Sequence, residues 1–109
     1  MSERDAGKLR HRVTVEAVVR VPDGGGGAAE TWVPVGEAWA EITPATGSER
    51  LEADRIAGRV THVVHLRAGV NVAPAMRLVL GARIFEVRAA IDLNERGRWL
   101  RVLAEEMDR

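Results

Sequence analysis

The stretch Arg12-Val13-Thr14-Val15-Glu16-Ala17-Val18-Val19-Arg20-Val21, followed at once by Pro22-Asp23-Gly24-Gly25-Gly26-Gly27, decides the fold. Val13, Val15, Ala17, Val19 and Val21 fall on every second position, against Arg12, Thr14, Glu16, Val18 and Arg20. A period of two sends the two sets to opposite faces of an extended chain, so a strand with one buried face is expected. The proline and the run of glycines make continued pairing costly, which predicts a hairpin tip with a mobile loop. On its far side Glu30 to Thr43 is extended again, with Ala38, Ala40 and Ile42 opposing Trp39, Glu41 and Thr43. Pro34 inside that run predicts an edge position or a bulge.

After Pro44 the period changes. Thr46 followed by Glu49 is a capping-box pattern, and Ala53, Ile56, Ala57 and Val60 share one face at helical spacing. Gly58 offers a stop. A helix of about ten residues is too short to stand alone in water, so it must pack on something. Alternation returns at Val60 to Ala68, where His62, Val64, Leu66 and Ala68 oppose Thr61, Val63, His65 and Arg67. Gly69 to Pro74 reads as a turn. Met76 to Leu80 and Arg83 to Ile91 read as strands joined by Gly81-Ala82, whose leading glycine suits a type II′ hairpin. Asp92 to Gly97 is a further turn, Arg98 to Ala104 a last strand with Leu100, Val102 and Ala104 on one face, and Glu105 to Arg109 a charged tail expected to fray. The expectation is a mainly β chain: a small antiparallel β-barrel of about six strands, with a helix-bearing insertion, residues 44–59, between strands 2 and 3. Closure into a barrel is favoured because it removes the exposed edges that an open sheet must defend.

Composition sets the limits. At 109 residues the chain is expected to form one domain, 1–109. Hydrophobic residues make up 46% but aromatics only 4%, so the core must be aliphatic. The 16 basic and 16 acidic residues cancel, which removes the charge surplus that drives tight sequence-independent binding to nucleic acid. There is no cysteine, so disulfides, thiol catalysis and thiolate metal sites are excluded. Met1 to Arg12 is charged and has no apolar run, so neither a signal peptide nor a membrane segment is expected there.

Chemistry is sparse. His62 and His65 lie three apart on an expected strand, hence on opposite faces, and cannot share a metal; one is expected half-buried and the other on the surface. The glycine run lacks the Lys-Ser or Lys-Thr of a phosphate loop and does not open a helix. Ser48 is better explained by helix capping than by nucleophilicity. Glu37 and Glu41 share a strand face, but nothing in the sequence raises the pKa of either, so no acid/base pair follows. Between Glu49 and Arg59 the bases Arg50, Arg55 and Arg59 are matched by Glu49, Glu52 and Asp54, and Arg50 with Asp54 stands at the spacing of a helix-surface ion pair. No enzyme, cofactor or metal is expected. A small OB-like barrel that binds single-stranded nucleic acid is compatible with the strand count, but zero net charge and the scarcity of Phe and Tyr for base stacking weigh against it.

Trp39-Ala40-Glu41-Ile42 followed by Gly47-Ser48-Glu49 forms the pattern W-A-x-I-x-x-x-x-G-x-E. It resembles the phage head-tail joining proteins, also called head-closure, stopper or adaptor proteins. Gly7-Lys8-Leu9-Arg10-His11-Arg12-Val13 is similar to that family's opening G-x-L-x-x-R-V, and Asp23 to Gly27 with Thr31-Trp32 to its glycine hairpin. His62 to Arg67, Pro74-x-x-Arg77-Leu78, Phe85-Glu86-Val87 and the Asp92 turn follow in the family's order. The resemblance implies a subunit of a homo-oligomeric ring, about six or more copies, between the portal or adaptor and the tail terminator or tail tube protein. It would work in a tailed phage or gene transfer agent, with no membrane involved. Such a ring retains packaged double-stranded DNA, lets it pass without tight binding, and docks the tail. The 44–59 insertion would project toward the channel, where Arg50, Arg55 and Arg59 are the candidates to meet DNA or neighbouring subunits. Asp23, Gly24, Gly25, Gly26 and Gly27 are candidates for contacts between rings. Trp32, Trp39 and Trp99 are candidates for ring contacts or for the core.

Overall fold

The computed structural model describes residues 9–67, 71–93 and 99–107. The elements in chain order are β1 (His11–Pro22), β2 (Ala28–Pro44), α1 (Gly47–Ile56), β3 (His62–Arg67), β4 (Arg77–Leu80), β5 (Arg83–Asp92) and β6 (Trp99–Met107). The six strands close in the order β1-β2-β3-β6-β5-β4, every neighbouring pair antiparallel, as a closed barrel. The expected class and the site of the helical insertion, between β2 and β3, are both found. Of the residues read as structured, Ala68, Gly69, Val70 and Asn94 to Arg98 lie outside the described set, as do Gly7 and Lys8 of the opening motif.

The alternating residues do what their period dictates. Val13, Val15, Ala38, Ala40, Val64, Leu66, Leu78, Phe85, Val87, Val102 and Ala104 fill the interior, with Val72 over it. Burying each large aliphatic or aromatic side chain contributes about 1.5–3 kcal/mol, so this interior is the main source of stability. A second cluster lies on the outside of the wall: Val63 and Leu103 face outward and are covered by Ala45 and Ala53 of the insertion and by Val60 just after it. The short helix thus finds the support it needs.

Pro34 marks a bulge, as expected. Val15 pairs with Gly36 and Glu16 with Pro34, so Val35 is the extra residue. A second bulge sets Arg88 apart in β5. Gly81, at φ 59°, makes the two-residue turn between Leu80 and Arg83.

Four expectations are corrected. The apolar face of β1 is buried only as far as Val15; Ala17 is half-buried, and Val19 and Val21 are exposed. The cause is topological: β1 meets β4 only across Thr14–Glu16 and β2 meets β3 only across Trp39–Pro44, so the rest of the β1–β2 ribbon extends beyond the barrel. This overhang accounts for overall dimensions of 54 × 29 × 27 Å. Ile56 is 75% exposed, because the helix touches the wall through the small Ala53, ends at Ala57, and returns through Gly58 at φ 81°. Val60 reaches the wall from that return and not from the helix. His65 is buried rather than on the surface, in an outer row between Glu41 and Arg101. Finally, β6 runs on to Met107: Glu106 pairs with Phe85 and donates its N–H to Thr61 Oγ1 at 2.7 Å, which holds the expected tail in the ladder.

Among the described residues, Ala75 is the non-glycine residue at positive φ, 74°, at the third position of the Ala73–Met76 turn closed by Met76 N–H to Ala73 O at 3.2 Å. Pro74 before it pre-sets a type II turn, which wants glycine where Ala75 stands. The left-handed conformation costs an L residue about 1–2 kcal/mol, and glycine's extra unfolded-state freedom returns about 0.4–1 kcal/mol of that. Ala75→Gly is therefore expected to raise stability by about 0.5 kcal/mol in urea unfolding, and Ala75→Val to lower it by about 2 kcal/mol.

Candidate functional site

The insertion is pinned at its start. Thr46 Oγ1 accepts the Glu49 N–H at 3.2 Å, and Glu49 returns a carboxylate oxygen to the Thr46 N–H at 2.8 Å, completing the capping box. The other Glu49 oxygen accepts from Arg101 Nη2 on β6 at 3.1 Å. One side chain thus caps α1 and ties it to the barrel wall. The Thr46 N–H bond foremost, against some desolvation and aided by Arg101, holds the Glu49 carboxyl below its ordinary range.

The motif residues have distinct duties. Ala40 is fully buried in the barrel, and Ile42 packs against its core. Gly47 opens the helix with space around it. Trp39 points outward, with the Arg12 guanidinium 5.9 Å from its ring centre. Trp32 lies half-buried outside the barrel under Arg77, 4.2 Å away, which also binds Glu16 at 2.7 Å. Trp99 is half-buried, so none of the tryptophans belongs to the interior.

Arg50, Arg55 and Arg59 are all exposed. Arg59 lies 3.5 Å from Glu105, while Arg50 and Asp54 form no ion pair among the described residues, contrary to their spacing. An exposed pair gains at most about 1 kcal/mol and must order two side chains to do so. At the opposite end of the barrel the glycine tip is closed by Asp23. One oxygen of its carboxylate accepts from Gly25 N at 2.8 Å and Gly27 N at 3.2 Å, and its own N–H donates to Gly27 O at 3.2 Å. Gly24 and Gly26 take φ 83° and 86°, where other residues would be strained.

A polar lid closes the barrel at the insertion end. His62 stands edge-on to Phe85 at 5.3 Å, Arg83 lies 4.8 Å over the same ring, and Arg83 binds Glu106 through two hydrogen bonds of 2.8 and 3.0 Å. His62 Nε2 is 3.8 Å from Glu106. Burial foremost, with Arg83 and Arg50 nearby, lowers the His62 pKa from 6.5, against the pull of Glu106. Arg83 in turn holds Glu106 below the usual carboxylate value. Sequence reading missed this trio and the role of Arg101, because their partners are set by strand register alone. Among the described residues there is no cluster of three or more potential metal ligands, and no helix is long and apolar enough to cross a membrane.

On the barrel strands the charged groups are largely paired with one another. Residues 4–107 match the model of the phage head completion protein family. The chain belongs to that family. It is a structural protein of the head-tail region of a phage or phage-like particle and associates there with other particle proteins. A chain in the virion of a native gene transfer agent particle is 36% identical, with 91% of this chain and 96% of that one covered and a TM-score of 0.64. A Shigella flexneri 2a protein solved in solution shares the fold at 19% identity, with 94% and 96% covered and a TM-score of 0.74. No curated protein matches.

Two outcomes follow for the insertion and the lid. Glu49→Ala should cost about 1–2 kcal/mol, with hydrogen exchange speeding in α1 before it does in the barrel strands. Because folding lowers the His62 pKa, the unfolded chain binds more protons below pH 6.5, and stability should fall as pH drops through that region. Glu49 and Glu106, held below 4.5, extend the loss to lower pH. Urea midpoints measured from pH 7 to 4 check this, and His62→Gln should flatten the upper part of the curve.

Proposed function

We propose that the chain is a head-closure subunit: copies form a ring of about six or more between the portal or adaptor ring and the tail terminator or tail tube protein. The ring retains the packaged double-stranded DNA and offers the tail a docking surface. The observation that carries this reading is the likeness, over nearly the whole chain, to a component of a gene transfer agent virion. Shape supports it. Units 29 by 27 Å across, six to a ring, leave an opening about one unit wide, a conduit that no single barrel encloses.

The positions of the appendages are compatible with such a role. The insertion and the glycine tip leave from opposite ends of the barrel, so one can face the channel while the other reaches an adjoining ring. Arg50, Arg55 and Arg59 are the groups that would meet DNA or a neighbouring insertion, and Asp23 to Gly27 those that would meet the next ring. A balanced net charge suits a conduit that must release DNA, since every added phosphate contact steepens binding.

Particles assembled without this chain should have heads that lose DNA and carry no tails, scored by electron microscopy and nuclease protection. Replacing Arg50, Arg55 and Arg59 together by Ala should leave the ring in place but weaken DNA retention. Tailed, DNA-filled particles made without the chain would refute the proposal.

A further inference from the structure

The β1–β2 overhang has two unlike faces. One carries Glu16, Val18, Trp32 and the Arg20–Glu30 pair at 3.0 Å. The other continues the interior face of the barrel into the open: Ala17 opposite Val33, Val19 opposite Thr31 and Val21 opposite Ala29. It bears no charge, and Val19 and Val21 are 42% and 49% exposed. Among the described residues, Ala17–Pro22 and Ala28–Val33 pair only with each other. A two-stranded ribbon is marginal in water, and an uncharged face of this kind marks a contact surface.

Among the described residues Val19 and Val21 of this face stay open to solvent, and an uncharged face of this kind suits cover by another molecule. The same ribbon, lower down, presents the opposite kind of surface on its outward side. Register places Arg12, Trp39, Arg67 and Trp99 in one row across four strands of the outer wall. Trp39 is 48% exposed at its centre. Tryptophan framed by arginine is the composition of an interface anchor.

Resting on the ring reading above, we infer that the uncharged face of the hairpin docks on the Trp39 wall of a neighbouring copy of this chain. A cyclic ring needs two different, complementary patches on each subunit. These two lie on opposite faces of one ribbon, so each copy offers the hairpin to one neighbour and the wall to the other. Charge fits as well as polarity: Asp23 at the hairpin tip is acidic, and Arg67 flanks the tryptophan on one side, while Arg12 on the other is shared with Glu37 at 2.7 Å. The exposed Leu51 and Ile56 on α1 are the competing apolar patch, and the test separates the two.

The chain has no cysteine, so introduced pairs report on contact without background from the chain itself. In assembled particles, oxidation of the Val19→Cys/Arg67→Cys double variant should give a ladder at multiples of the chain mass that collapses on reduction. Each single variant and the Val19→Cys/Ile56→Cys pair should give none. Trp39→Ala should leave the unfolding temperature of the isolated chain nearly unchanged, because the side chain lies outside the core, yet lower its copies per particle by about 10-fold or more. A ladder from the Ile56 pair, a cross-link to a protein of different mass, or no ladder in particles that contain the chain and join tails would overturn the inference and leave the ring reading standing. Absence of the chain from particles would overturn both.

Discussion

Three rungs close this barrel. Thr14, Val15 and Glu16 of β1 meet Val79, Leu78 and Arg77 of β4, strands that lie some sixty residues apart in the chain. The middle rung places Val15 and Leu78 side by side in the interior, and the last is clamped outside by the Glu16–Arg77 ion pair at 2.7 Å. Without that short ladder the sheet would have two open edges and the Phe85 core would open between β1 and β4. Because it is short, it also leaves the distal half of β1 and β2 outside the barrel. The contact that makes the subunit compact therefore produces its projecting arm.

The other appendage leaves from the opposite end of β2. β2 delivers the chain to Pro44 and β3 takes it back at His62, and the residues between are held against the outer wall by Ala53 and by the Glu49 link to Arg101. The helix is thus anchored on one side and open on the other, with Arg50, Arg55, Leu51 and Ile56 facing solvent. This member of the phage head completion family is thus a barrel with one appendage anchored on its wall and another projecting from it. Its work lies in what its surfaces meet, and its polar groups are spent mainly on one another.

Much of this was legible in the chain. Alternation predicts the strands and, for the first, second, third and last, most of the inward set, from Val13 and Val15 to Val102 and Ala104, because side-chain parity along a strand is a local property. Thr46 with Glu49, Pro34 and Gly81 announce the cap, the bulge and the turn by rules that act within a few residues. The motif residues likewise point to the insertion, although Ala40 serves to build the barrel and Glu49 to hold the helix. The burial of His65 and the exposure of Ile56 and Val21 could not be read this way, since each depends on which distant element does or does not cover the position.

By itself, then, the sequence determined the local conformations, the composition of the core and the family to which the chain belongs. Only the tertiary structure decided how far the barrel extends along β1, which carboxylate meets which arginine, and that the apolar face beginning at Val13 ends uncovered at Val21. The reason is physical. Strand and helix periods are set by backbone geometry between near neighbours, whereas register and closure are set by pairings across the whole chain.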